Sequence, residues 1–219
     1  MSAKPVIAII GGTGDLGSGL AKKWLAAGYP IVIGSRSVDK AHAFAQELGR
    51  GARGAHNAEA AKLGEIVLLA VPFSSHEATL LEVKSVVQGK IVVDAAVPLV
   101  PPKVSTVQLP AEGSAAQIAQ RLLGEGVRVV SAFHNVGAAK LHAGGRADCD
   151  VLVFGNDKDA RETVIGLANE VATCGIDGGV LANSVAAEAL TSVLIGINRR
   201  YKVSGAGIRI TGLSTPTPQ

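Results

Sequence analysis

Five apolar residues, Val6 to Ile10, run straight into Gly11-Gly12-Thr13-Gly14-Asp15-Leu16-Gly17, and within that turn Gly12, Gly14 and Gly17 keep a G-x-G-x-x-G spacing. A dinucleotide site needs glycine three times: for a tight turn, for close approach of backbone to pyrophosphate, and for close packing of helix on strand. A helix beginning near Leu16 then aims its unsatisfied N–H groups and positive dipole end at the phosphates. The spacing alone is equally a glycine-rich turn of no consequence. Here it lies between a strand and a helix, in a unit of the right length, which is the context a dinucleotide site requires. No G-x-x-x-x-G-K-[ST] occurs, which argues against a nucleoside triphosphatase.

The rest of the chain extends the same pattern. Short runs rich in Val and Ile, at Val6–Ile10, Ile31–Gly34, Ile66–Val71, Ile91–Asp94 and Val127–Ala132, read as strands buried on both faces. Helices are expected at Leu16–Ala27, Val38–Leu48, Asn57–Leu63, Ser74–Val87 and Ser114–Leu123, with a weak strand near Ala52–Ala55. Gly28, Gly49, Gly64, Gly89 and Gly124 each fall just past a helical stretch, where a left-handed residue is wanted. Alternation of this kind implies an α/β fold of Rossmann type, a doubly wound parallel sheet, with a small C-terminal α/β appendage.

Residues 95–113 interrupt the alternation, because Pro98, Pro101, Pro102 and Pro110 forbid a regular element. A strand at Val151–Gly155 and a helix at Lys158–Ala172 follow. The last helix, Asn183 to about Arg200, is apolar around most of its circumference. It is expected to be covered nearly everywhere, between the main body and a second subunit or a ligand, and is a poor membrane span. The end, Thr211–Gln219, reads as loose.

Composition excludes other classes. One Trp, two Tyr and four Phe with a net charge of +3 supply neither stacking rings nor a basic face for nucleic acid. Cys149 and Cys174 form no CxxC and have no histidine at metal spacing, so they read as small buried thiols and no metal is expected. The apolar run at residues 6–10 is too short for a secretory segment. A soluble, cytoplasmic protein with no membrane partner is expected.

At the end of the second strand, where an NAD site would place an acidic residue, the chain reads Gly34-Ser35-Arg36-Ser37-Val38-Asp39-Lys40. A hydroxyl, a guanidinium and an ammonium suit a 2′-phosphate, so NADP is favoured. Candidate reacting residues lie past the carboxyl ends of the strands: Val71 with His76 beyond, Asp94 to Pro98, and Phe133 to Ala138. His134 is the leading polar group among them. For His76 a solvent-facing place at a helix start is equally open. Neither Tyr29 nor Tyr201 has a lysine four residues on, and H-E-x-x-H and G-x-S-x-G are absent. Such a site suits a hydride acceptor that takes no proton from a side chain.

These residues resemble the NADPH-dependent coenzyme F420 reductases along essentially the whole chain. The matching stretches are Ile7–Gly19, Ile33–Ala41, Ala70–Pro72 with His76, Val130–Ala139, and Asn183–Asn198 leading into Gly205–Ile208. The amino-terminal part is shared with other NADP-binding folds, including membrane ferric reductases. The resemblance implies hydride transfer between NADP and F420, with an NADP-binding domain over residues 1–150. It also implies a C-terminal domain, 151–219, covering the acceptor site and a homodimer interface.

By the same resemblance Thr13, Gly14, Asp15 and Leu16 hold the pyrophosphate, and Ser35, Arg36 and Lys40 the 2′-phosphate. Val71, His76, Val97 and Ala138 take the ribose and nicotinamide side. His134 orients the acceptor ring as the catalytic residue, and Asn135, Thr191, Ala206 and Gly207 border it. Small residues at Gly137, Ala138, Ala206 and Gly207 let two flat rings meet, and Arg199, Arg200, Lys202 and Arg209 offer positive charge to an acidic tail. Where family members can carry a serine and an arginine on the long helix, this chain has Ala189 and Val185. A reductase of the same fold using a flavin, quinone or ferric acceptor, or a non-catalytic NADP sensor, remains open from sequence.

Overall fold

The computed structural model describes residues 3–213. Eight strands form one sheet: β1 (Ile7–Ile10), β2 (Ile31–Ser35), β3 (Arg53–His56), β4 (Ile66–Leu69), β5 (Ile91–Asp94), β6 (Arg128–Ser131), β7 (Ala147–Gly155) and β8 (Ala172–Gly179). The order is β3-β2-β1-β4-β5-β6-β7-β8, parallel throughout except where β7 meets β6. The first six strands have the doubly wound arrangement, with the chain reversing its direction of advance between β1 and β4. Ligands of such sheets lie at that switch point.

Alternation along the strands builds two cores, because successive side chains point to opposite faces. Ile7, Ile9, Ile31, Ile33, Leu68 and Val93 face one side and meet α1 (Asp15–Ala26), α2 (Val38–Leu48) and α7 (Lys158–Val171). Ala8, Ile10, Val32, Val67, Leu69 and Val92 face the other and meet α3 (Asn57–Leu63), α4 (Phe73–Val83) and α5 (Ala115–Leu123). The single tryptophan, Trp24 on α1, is fully buried. Its Nε1 donates to the Leu167 carbonyl at 2.9 Å, and its ring meets Phe133 edge-on at 5.6 Å, locking α1 to α7 and to the end of β6.

Several expectations need correction. Gly28, Gly49, Gly89 and Gly124 take positive φ after their helices, but Gly64 has φ −75. A Cβ at Gly64 would stand 2.6 Å from the Ala8 Cβ, so that glycine serves close approach to β1 rather than a left-handed turn. The short helix α6 (Ala138–His142) and the strand β8 were not expected, and β7 starts before the expected Val151. The division expected between 150 and 151 falls inside β7, whose strand continues the common sheet. Cys149 is buried, but Cys174 is only half-buried.

The last helix, α8 (Ser184–Tyr201), is covered by its own chain along one face only: Ser184, Ala187, Glu188, Ser192 and Leu194 are buried, while Val193 is 46% exposed. An 18-residue window within Leu181–Tyr201 has a mean hydropathy of 1.3, which by length and composition alone would suffice to cross a membrane, a test that the core helix of a soluble protein also passes. Of the end expected to be loose, residues 214–219 lie outside the described residues.

Candidate active site

The glycine turn performs three separate tasks. Gly11 has φ +81, and a Cβ there would collide with the Ala70 carbonyl, so the turn itself depends on a glycine one position earlier than the motif identified. At Gly12 a Cβ would meet the Ile9 carbonyl at 2.8 Å, and at Gly17 the Gly11 carbonyl at 2.6 Å, so these two permit packing of α1 on β1. Gly14 is different: its nearest neighbour would be the Gly11 carbonyl at 3.3 Å, and the rest of that side is open. Gly14 is also the N-cap of α1, and no side chain among the described residues caps it. The first-turn N–H groups are thereby left to a ligand.

A cleft of about 190 Å³ opens there, lined by Gly11, Thr13, Gly14, Ser35, Arg36, Asn57 and residues from the end of β4 and the start of α4. Ser35 and Arg36 thus meet the glycine turn in one cavity, the arrangement that a 2′-phosphate site requires. Ser37 caps α2 by accepting from Lys40 N, and Ser37 N donates to Ser35 Oγ at 3.2 Å, which fixes the hydroxyl beside Arg36. Lys40 is exposed one turn into α2 and does not line the cleft. Asn57, which the sequence reading missed, is 2% exposed.

A second cleft, about 480 Å³, adjoins the first on the other side of Val71 and Pro72. Its walls are apolar: Leu16, Phe73, Ala95, Val97, Leu99 and Val104. The proline-rich segment after β5 therefore closes one side of the site. Val71 lines both clefts, and Asp15, Leu16 and Val97 line the second. Ala138 begins α6 and lines neither.

Behind these walls lie buried titratable groups. His76 is 1% exposed, which removes the solvent-facing alternative, and its Nε2 bonds Asp94 Oδ2 at 2.6 Å. Burial alone would lower its pKa, but the Asp94 carboxylate outweighs burial and raises it. Its Nδ1 has no partner among the described residues. Asp94 Oδ1 accepts from Ala96 N at 2.9 Å, so one carboxylate orients both the histidine and the start of the proline-rich segment.

His134 is buried, and burial pulls its pKa down to about 4 against the raising effect of Asp94, so the imidazole is neutral near pH 7. Its Nε2 lies 3.4 Å from Ser131 Oγ and its Nδ1 has no partner among the described residues. Phe133 before it has φ +69, a conformation costing a non-glycine residue on the order of 1–2 kcal/mol. That turn redirects the chain from β6 into the His134–Asn135 segment. Asn135 Nδ2 donates to the Ala187 carbonyl at 2.9 Å, and Thr191 Oγ1 donates to the His134 carbonyl at 3.0 Å. Asn135 and Thr191 are thus brought together, tying α8 to the end of β6. His134 itself lines neither cleft.

Two expected roles change. A Cβ at Gly137 would stand 2.5 Å from Gly205 Cα, and one at Gly207 2.7 Å from Cys149 Cβ. These glycines let the C-terminal segment lie against the body, a packing reason for their size. Ala206 N donates to Asn198 Oδ1 at 2.8 Å in the same segment. Arg209 is paired with Asp148 at 2.8 Å and lies 3.6 Å from Asp150, so its charge is satisfied within the fold. Glu188 was also overlooked. It is 1% exposed and accepts from Ala115 N at 2.6 Å and Ala116 N at 3.2 Å, clamping α8 to the start of α5. Burial pushes its carboxyl up to about 8 against the lowering effect of those donors.

Residues 6–98 match the family described as "NADP oxidoreductase coenzyme F420-dependent". The chain is 43% identical to the F420-dependent NADP reductase of Methanocaldococcus jannaschii, over 94% of this chain and 98% of that protein. It is 40% identical to the protein of the same name from Methanothermobacter marburgensis, over the same shares. Among solved structures, a hypothetical protein from Sinorhizobium meliloti superposes with a TM-score of 0.67 at 27% identity, covering 86% of this chain and 88% of that one.

Proposed function

This chain belongs to the coenzyme F420-dependent NADP oxidoreductase family, and from that premise we propose that it transfers a hydride, reversibly, between NADP(H) and coenzyme F420. The observation that carries the proposal is the near full-length likeness to reductases of that name. The site fits the dinucleotide on its own geometry: an uncapped helix start, the open side of Gly14, and Ser35 and Arg36 in the same cleft. When bound, the nicotinamide supplies a hydride from C4 and the 5-deazaflavin ring accepts it at C5.

The chain's own residues act by holding and excluding. In this proposal the Thr13–Leu16 backbone seats the pyrophosphate, with Gly12 and Gly17 letting α1 pack closely enough to present it, and Ser35 and Arg36 hold the 2′-phosphate, with Lys40 adding its charge from the rim one turn into α2. Val71 and Val97 border the ribose and nicotinamide from the cleft walls, with Ala138 approaching from the start of α6 outside both clefts and His76 held behind them by Asp94. The apolar second cleft keeps water from the reacting ring faces. Orientation of two rings of this kind contributes on the order of 7–11 kcal/mol in well-aligned intramolecular reactions. The acceptor is proposed to lie against the His134–Asn135 segment, where His134, neutral and buried outside both clefts, holds that side in place without donating a proton, with Asn135, Thr191, Ala206 and Gly207 around it.

Residues 151–219 complete the acceptor side in this account, and the uncovered face of α8 pairs with a second copy in a cytoplasmic homodimer. Exposed Val193 on that face supports the pairing. Mixing purified protein with NADPH and F420 tests the activity: the deazaflavin absorbance is expected to bleach. Absence of bleaching with authentic F420, or faster NADPH oxidation by a flavin or ferric chelate, would refute it.

A further inference from the structure

Asn57 opens α3 directly after β3, is 2% exposed, and lines the same cleft as Gly14, Ser35 and Arg36. Its Nδ2 donates to Glu82 Oε2 at 3.3 Å. A carboxylate can only accept, so this bond decides which end of the amide faces Glu82. The other end, Oδ1, is buried and receives no hydrogen bond among the described residues. Glu82 Oε1 also receives no hydrogen bond among the described residues, with His56 Nδ1 standing 3.3 Å from it. A buried acceptor without a donor is costly, and here it belongs to a residue that lines the cleft, so the unpaired Oδ1 marks the place of a ligand donor.

The cleft restricts which donor that is. The same cleft is lined by the Gly11–Gly14 turn and by the Ser35–Arg36 pair, so on the NADP reading the ribose that joins the two phosphate positions lies within it. In a 2′-phosphorylated nucleotide the 2′ oxygen is esterified, and the only hydroxyl donor left on that ribose is at the 3′ position. Resting on the NADP reading given above, we infer that Asn57 Oδ1 accepts a hydrogen bond from the 3′-hydroxyl of the adenosine ribose, with Glu82 as the residue that positions the amide.

Binding of adenosine 2′,5′-bisphosphate and of its 3′-deoxy analogue, measured by calorimetry on the parent protein, Asn57→Ala and Glu82→Gln, tests this. In the parent the 3′-deoxy compound should bind roughly tenfold more weakly. In Asn57→Ala that difference should collapse toward onefold, because only the 3′-hydroxyl compound loses affinity. Glu82→Gln can donate to Asn57 Oδ1 and compete for it, so the difference should shrink there by about twofold to threefold with Asn57 still present. This second variant decides the matter if Asn57→Ala does not fold. Equal weakening of both compounds in the variants overturns the inference and leaves Asn57 a packing residue. A parent that binds neither compound overturns the NADP reading itself, and the inference falls with it.

Discussion

Gly14 and Gly17 stand in one turn, yet substitution there should separate binding from folding. A methyl at Gly17 lands 2.6 Å from the Gly11 carbonyl, and backbone cannot yield cheaply, so Gly17→Ala should cost roughly 1–3 kcal/mol in denaturant unfolding. A methyl at Gly14 needs the Gly11 carbonyl, 3.3 Å away, to move by only a few tenths of an ångström. Gly14→Ala should leave stability within about 1 kcal/mol of the parent while weakening NADPH binding at least tenfold. Equal effects at the two positions would remove the ligand-facing role of Gly14. His134 makes a second prediction at this scale. Its folded pKa of about 4 lies below the ordinary 6.5, so the unfolded chain takes up the proton first as pH falls. Stability is therefore lost between about pH 6.5 and 4, by roughly 2 kcal/mol on going from pH 7 to 5. His134→Gln should flatten that part of the pH profile, and an unchanged slope would place the titration elsewhere. The turn and the Ser35–Arg36 pair were legible in sequence because their chemistry is written in adjacent residues. Asn57 was not, since an asparagine at a helix start reads as a cap until its amide is seen fixed by Glu82, 25 residues away.

Elements follow the same logic. Continuous Val and Ile runs identify β1, β2, β4, β5 and β6, because strands buried on both faces admit little else. β8 escapes that rule: Ala172–Gly179 carries three glycines, and its place at the sheet edge tolerates a composition that an interior strand would not. The start of β7 was hidden by Asp148 and Asp150, whose carboxylates are engaged by Arg209 and, at Asp150, by Ile210 N. Only the C-terminal segment folding back makes an acidic strand acceptable there. The attachment of α8 is likewise nonlocal. It depends on Glu188 receiving two N–H groups of α5, so Glu188→Ala strands both donors in a buried place. Loss of about 2–3 kcal/mol in unfolding free energy is expected. Glu188→Gln, which keeps one acceptor oxygen, should cost less. Equal costs would show that the space filled by the side chain matters rather than the hydrogen bonds.

At the scale of the whole molecule, the sheet order places both clefts around the point where the chain reverses direction, and the proline-rich segment after β5 walls the apolar one. The uncovered apolar face of α8 is the feature a single chain leaves unfinished. If a second copy covers it, Val193→Glu should turn a dimer into a monomer in sedimentation, with NADPH binding retained; a parent that sediments as a monomer would contradict the pairing. The central claim, that a hydride passes directly from nicotinamide to deazaflavin at this site, has a more direct test in isotope transfer. NADPH deuterated at the transferring C4 position should yield reduced F420 with the deuterium bound at C5. Reduced F420 carrying only solvent hydrogen at C5, or no reduction of F420 at all, would contradict the account.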